Sequence, residues 1–362
     1  MGTYTPQQTV FTISMLAGLG DSLSGSVGTI EPALTTLLET QLSDLQPLIG
    51  DWELVWGPAV YELPTSDRPD NTMFVVSGGG QLVVAIAGTN PYSFLDWIVE
   101  DFLVTTQVPW PTGSPFPQER KIALGTFTGL SVLQTLTPGP GQPGAGTLVR
   151  DFLATQVGSP ITVNVAGHSL GGALSPTLAL WLSDTRGQWD PAGNATLSIL
   201  PSAGPTAGNA AFAQYSDSQI GSQVTRLYNP LDIVPKAWTT SDLQTIPSLY
   251  APNIPPDAVM DSFADLAIDI SKDGGYTQIN LGAPALSGSA INTGIINPLF
   301  LPILNFFVQV AYQHVDAYSV LLGTTAALDP VTQTLKASAQ VRNPVNELTR
   351  LQGQLAKFRA RS

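Results

Sequence analysis

Ile161-Thr162-Val163-Asn164-Val165-Ala166-Gly167-His168-Ser169-Leu170-Gly171-Gly172-Ala173-Leu174 reads, in order, as a strand, a tight turn and the start of a helix. Residues 161–165 alternate at period two, the pattern of a strand. From Ala173 to Asp184 the pattern turns helical. Between them stands Gly167-His168-Ser169-Leu170-Gly171, a G-x-S-x-G sequence. Two glycines around a serine are common by chance, so the weight comes from the strand before and the helix after. A turn that sharp brings strand and helix almost into contact and needs small residues, which Gly167, Gly171 and Gly172 supply. Ser169 then projects its hydroxyl at the C-terminal end of a central strand. The helix N-terminus that follows favours negative charge, as an oxyanion requires.

A serine nucleophile needs a base, and the chain has only two histidines, His168 and His314. His168 adjoins the serine, and the turn should point it away from the hydroxyl; it reads as a packed or hydrogen-bonding residue of the turn. His314 follows every predicted core strand, where the order Ser, acid, His puts the base. By elimination it is the candidate general base. Among the acids Asp232 is best placed. It lies past the predicted strand Val224–Tyr228, in Asn229-Pro230-Leu231-Asp232-Ile233-Val234-Pro235, where two prolines stiffen the loop and apolar neighbours would bury the carboxylate. Asp316 is the runner-up, but it comes after His314, and such close neighbours rarely face each other.

Outward from this centre, Trp52–Trp56 reads as a strand ended by Gly57-Pro58. Met73–Val76 and Gln81–Ala87 form a hairpin around Gly78-Gly79-Gly80. Leu197–Leu200 is a short strand ended by Pro201. Strands alternating with helices predict an α/β fold with a mostly parallel central sheet flanked by helices. Residues 6–48 are partly helical, with Ile30, Leu34, Leu37, Leu38 and Leu42 at helical spacing. Thr137–Gly146 reads as an exposed loop. Residues 239–296 read as an irregular, cap-like excursion, and Asn346–Arg361 as a surface helix. The expected organisation is one domain over 1–362, with a core of about 52–330, an N-terminal helical extension 1–51 and a C-terminal tail 331–362.

Composition limits the chemistry. The chain has 362 residues, 43% hydrophobic and only 11% charged, with net charge −13. An acidic chain without a basic stripe does not suit nucleic acid or anionic headgroups. The absence of cysteine excludes thiol nucleophiles and Cys-ligated zinc. With two histidines a multi-His metal site is not expected, and no cofactor is needed. The most apolar late stretch, Leu299–Val310, is broken by Pro302 and Asn305 and is too short for a transmembrane helix. The N-terminus lacks the basic region of a secretory signal, so the expectation is a cytoplasmic protein or leaderless export. Oligomeric state is not written in the sequence. Ser93–Phe102 forms a short amphipathic pattern, with Phe94, Leu95, Ile98 and Phe102 on one face.

Gly167-His168-Ser169-Leu170-Gly171-Gly172-Ala173-Leu174 resembles the serine turn of class 3 lipases, the α/β-hydrolase family of the filamentous-fungal triacylglycerol lipases. Further stretches are similar in the same order. Trp52–Pro58 and Val84-Ala85-Ile86-Ala87-Gly88-Thr89 resemble the early strands, and Asp96-Trp97-Ile98-Val99-Glu100-Asp101 the lid. Ala203–Asn209 resembles the strand and turn after the serine, Asn229–Pro235 the Asp loop, and His314-Val315-Asp316-Ala317-Tyr318 the His segment. The resemblance spans about 52–322. It implies an α/β-hydrolase fold with lid or cap-like additions and Ser169, Asp232 and His314 as the triad. It implies an oxyanion hole from the Thr89 and Leu170 N–H groups, with the Thr89 hydroxyl assisting, and a lid at Asp96–Asp101; the apolar face of Ser93–Phe102 makes Phe94, Leu95, Trp97, Ile98 and Phe102 the lid candidates, the alternative being an ordinary helix packed on the core. The chain departs from the family where Ala87 replaces a basic residue and Leu124-Gly125 replaces a His-Gly pair. The implied activity is hydrolysis of an apolar acyl ester such as an acylglycerol, at a lipid–water interface. A phospholipase A1, a feruloyl-type esterase or an acyltransferase would use the same triad. An inactive binding module would need none of the three residues.

Overall fold

The computed structural model describes residues 2–63, 66–87, 103–113 and 119–338. Thr89, the lid segment with Phe94, Leu95, Trp97, Ile98 and Phe102, and the helix expected over 346–361 lie outside the described residues.

Five strands form the central sheet: β1 (Glu53–Tyr61), β2 (Asn71–Gly78), β3 (Gln81–Ile86), β6 (Ile161–His168) and β7 (Ala195–Ser202). They lie side by side in the order β1-β2-β3-β6-β7. The first two pairings are antiparallel, and β3–β6 and β6–β7 are parallel. The short strands β4 (Gln107–Pro109) and β5 (Lys121–Ala123) make a separate ribbon. Gly79 and Gly80 turn the β2–β3 hairpin, both at positive φ, as a two-residue turn matched to strand twist demands.

The period-two alternation of β2 and β3 sorts the core. Met73, Val75, Leu82, Val84 and Ile86 face α3 (Leu124–Thr135) and α5 (Leu170–Asp184), packing with Leu130, Leu174 and Leu178. Between these two helices in sequence lies α4 (Val149–Gln156), whose Val149 and Leu153 join the same layer. Phe74, Val76, Val83 and Ala85 face the other way, toward α1 (Pro6–Leu16) and α2 (Val27–Ile49). Residues Thr9 to Leu16 of α1 are all buried, so this helix is packed against the sheet. A helix buried on every side has no polar face, which is why periodicity in that segment is weak.

Several local expectations fail for identifiable reasons. Gly57-Pro58 does not end the first strand. β1 runs through it with register shifts flanking Trp56, and Gly57 takes φ +82 where a Cβ would lie 2.9 Å from the Met73 carbonyl. Pro201 does not end β7 either. Its carbonyl accepts from Leu227 N–H, so its missing N–H falls on that sparsely paired side. Val224–Tyr228 is not a full strand; it touches β7 only through the parallel bridges Ile199–Val224 and Ser202–Leu227.

The loop 137–146 is partly buried, not simply exposed. Gly139 N–H donates to Glu31 Oε2 at 2.8 Å, Gly57 N–H to the Pro143 carbonyl at 2.9 Å, and Trp56 Nε1 to Thr147 O at 3.0 Å. The excursion 239–296 contains a full helix, α7 (Ala258–Ser271), capped by Asp257 accepting from Val259 and Met260 N–H. It follows α6 (Ala210–Ile220) in the chain and precedes α8 (Pro302–Ala311). From α7 and α8, Met260, Phe263, Ile303, Leu304, Phe306 and Phe307 form an apolar layer with Ile233, Val234 and Trp238, and Leu170 packs against it. After α8 the chain winds through a π-helical turn, Tyr312–Asp316, into the short helix Ala317–Leu321 and then α9 (Thr325–Ser338).

Candidate active site

The serine turn is forced by contact. Ser169 adopts φ +61, ψ −124, a conformation costly for a residue with a Cβ and characteristic of this strand–turn–helix. A Cβ on Gly167 would sit 2.4 Å from the Gly171 carbonyl, on Gly171 2.3 Å from that of Ile86, and on Gly172 2.2 Å from that of Ser202. Each clash is with backbone, so the positions admit only glycine without movement. Ser169 N–H donates to the Ser202 carbonyl at 3.0 Å, tying the turn to the end of β7.

The sequence distance from Ser169 to His314 closes to a hydrogen bond. His314 Nε2 is 2.9 Å from Ser169 Oγ, and His314 Nδ1 is 2.8 Å from Asp232 Oδ2. Ser169, His314 and Asp232 are 4%, 1% and 0% exposed, so all three sit out of bulk water, where such contacts are strongest. Asp232 Oδ1 accepts from Val234 N–H at 3.0 Å, and Oδ2 also accepts from the Tyr318 hydroxyl at 3.0 Å. Tyr318 in turn accepts from Asn229 N–H at 3.0 Å. Burial, and next the neighbouring Asp232 charge, push the Tyr318 phenol well above its ordinary range, so it stays a donor.

Tyr318 is the residue that sequence reasoning missed. The available signal was its place four residues after His314, one helical turn on. Asp232 is the carboxylate hydrogen-bonded to His314 Nδ1.

Leu170 is the first residue of α5, so its N–H has no acceptor within the helix and stands beside the serine. His168 does turn away from the Ser169 hydroxyl. Its Nε2 lies 2.8 Å from the His314 carbonyl oxygen and its Nδ1 3.1 Å from Ser202 Oγ. Desolvation first, and the adjacent His314 second, hold its pKa well below the usual imidazole value.

A serine on a strand–turn–helix, with an imidazole and a buried carboxylate behind it on a mostly parallel sheet, defines a serine hydrolase of the α/β-hydrolase fold. Residues 83–241 match the family described as lipase (class 3). The crystal structure of M37 lipase is similar over nearly the whole chain. It has 36% identity and a TM-score of 0.82, and the match covers 93% of this chain and 98% of that one. The chain belongs to the class 3 lipase family. More distant likenesses include lipase II from Rhizopus niveus, at 22% identity over 56% of this chain and 66% of that one, TM-score 0.40. A Rhizomucor miehei lipase propeptide complex shows 21% identity over 62% and 60%, TM-score 0.41. No curated protein sequence matches the chain.

Proposed function

We propose that this protein is a serine lipase that hydrolyses carboxylic esters of apolar acyl chains, acylglycerols above all, with Ser169, His314 and Asp232 as its triad. The observation that carries the reading is the continuous relay from Ser169 Oγ through His314 to Asp232, with contacts of 2.9 and 2.8 Å. Ser169 Oγ attacks the acyl carbonyl while His314 Nε2 takes its proton. Asp232 holds the imidazole by Nδ1 and stabilises the imidazolium. The tetrahedral oxygen is held by the Leu170 N–H and by Thr89, through its N–H and hydroxyl. His314 returns the proton to the leaving alcohol. Water, activated by the same imidazole, then releases the acid and regenerates Ser169.

An apolar substrate fits the surroundings. Leu170 packs against the apolar layer of α7 and α8. Residues 274–313 contain no Asp, Glu, Lys or Arg. Within that stretch Leu281, Leu299, Phe300 and Leu301 are exposed, a surface suited to a lipid–water interface. Among the described residues no helix is long and apolar enough to cross a membrane. Residues 90–103, with Phe94, Leu95, Trp97, Ile98 and Phe102, are the lid in this reading, and one domain spans the chain. Rates on acylglycerols of increasing acyl length, below and above their solubility, test it. A rate that rises with acyl length and jumps on aggregation is expected. Equal rates on dispersed and aggregated ester, with preference for short or aromatic acyl groups, would point to a feruloyl-type or other soluble-ester esterase.

A further inference from the structure

The turn that delivers His314 is wider than an α-helix. Ala317 N–H reaches back five residues to the Tyr312 carbonyl, where an α-helix would take it to Gln313. The Gln313 carbonyl instead accepts from Asn229 Nδ2 at 3.0 Å, and the same amide donates to Gln313 Oε1 at 2.6 Å. The next carbonyl, that of His314 itself, faces His168 Nε2 at 2.8 Å. A carbonyl only accepts, so the His168 proton is on Nε2, and the bare Nδ1 faces Ser202 Oγ at 3.1 Å, whose one proton also has the Gly167 carbonyl within reach at 3.2 Å. The two imidazole rings lie 4.9 Å apart at 38°, and the Tyr318 ring stands edge-on to His168 at 5.2 Å. His168 and Asn229 are both buried.

We propose that His168 is a positioning residue for the base: its Nε2–H, together with the Asn229 amide, holds the π-helical turn open so that the His314 ring meets Ser169 and Asp232 at once. The inference rests on the triad reading above. Neighbouring side chains on an α-helix are set about 100° apart, so tightening this turn by one residue would re-aim His314 by a large angle. The two donors come from different elements, the serine turn and the Asp loop. The serine and the acid thereby fix the backbone of the base as well as its ring. A protonated His168 would place a second positive charge beside the imidazolium formed in catalysis. Burial keeps it neutral, so the donor works without that repulsion.

Two variants separate positioning from filling. His168→Gln keeps a side-chain N–H able to reach the His314 carbonyl; His168→Leu fills the space without one. Each is assayed for kcat and KM on a short soluble ester, for thermal midpoint, and for the low-field His314 Nδ1 proton resonance. That resonance is unambiguous in these variants because His314 is the only histidine left. His168→Leu should lower kcat about 100-fold with KM almost unchanged, the cost of a misplacement of order 1 Å, and the resonance should be lost. His168→Gln should recover most of kcat and the resonance. If His168→Leu does not fold, His168→Gln decides: near wild-type kcat with the resonance intact supports the proposal, and a kcat loss of about 100-fold overturns it. Full kcat in His168→Leu, or equal losses in both variants with the resonance unchanged, also overturns it. Ser169→Ala measured alongside tests the triad itself, since activity there would refute the serine mechanism whatever His168 does.

Discussion

Replacing Tyr318 by Phe deletes one oxygen that serves two buried partners. The hydroxyl donates to Asp232 Oδ2 and accepts from Asn229 N–H, each at 3.0 Å, and Tyr318 is fully buried. A hydrogen bond to a charged acceptor contributes about 1.5–3 kcal/mol, and a buried N–H left without acceptor costs about 1–3 kcal/mol. Because one atom serves both, the losses overlap, and about 2–4 kcal/mol is expected in all. At about 2.1 cal/mol/K of unfolding entropy per residue, that lowers the thermal midpoint by about 3–5 °C. Asp232 keeps two donors, His314 Nδ1 and Val234 N–H, so His314 stays oriented, more loosely. Losing about 1.4 kcal/mol of that orientation lowers kcat about tenfold, with KM on a soluble ester unchanged. The assay is calorimetry alongside steady-state hydrolysis. An unchanged midpoint with unchanged kcat would refute the reasoning. So would a kcat as low as that of Asp232→Asn, because Tyr318 would then be the main support of the carboxylate.

Gly171→Ala puts a methyl 2.3 Å from the Ile86 carbonyl, a backbone atom of the central sheet that cannot swing aside. It should destabilise by at least about 1–3 kcal/mol and lower kcat by shifting the adjacent Leu170 N–H; a wild-type midpoint and kcat would contradict the packing of the turn. The depressed pKa of His168 has a defined pH consequence. Below about pH 6.5 the unfolded chain takes up a proton on this residue that the folded chain refuses until a lower pH. Its contribution is therefore complete above that value and lost as pH falls. Midpoints measured from about pH 8 to about pH 5 should drop less in His168→Gln than in wild type, and an identical slope would refute the burial argument.

The proposed catalytic centre is legible in the sequence because its parts are scarce or constrained. Two histidines left one candidate base, and the backbone contacts of Gly167, Gly171 and Gly172 demand the glycines that mark the turn. Among 27 acids Asp232 stands out by the stiffness of its loop and by its apolar neighbours, and its carboxylate is buried. The supports of the site were not legible. Tyr318 reaches Asp232 across 86 positions, Asn229 reaches Gln313 across 84, and His168 reaches the His314 carbonyl across 146. In the fold, prolines misled. Gly57-Pro58 and Pro201 suggest strand ends, yet a register shift absorbs the first and sparse pairing tolerates the second. Helix α7 was available in principle. Asp257 followed by Met260, Phe263, Ala264 and Ala267 is a capped amphipathic pattern, hidden within a segment rich in Pro and Gly.

The central claim is that Ser169, activated by His314, is the nucleophile. Its most direct measurement is labelling with an alkyl phosphonate ester, read by intact mass and peptide mapping, on wild type, Ser169→Ala and His314→Ala. One phosphonyl group per chain on Ser169 is predicted, with none on Ser169→Ala and labelling of His314→Ala slowed by orders of magnitude, each in parallel with ester hydrolysis. A label on another serine, or hydrolysis that survives Ser169→Ala, would contradict it.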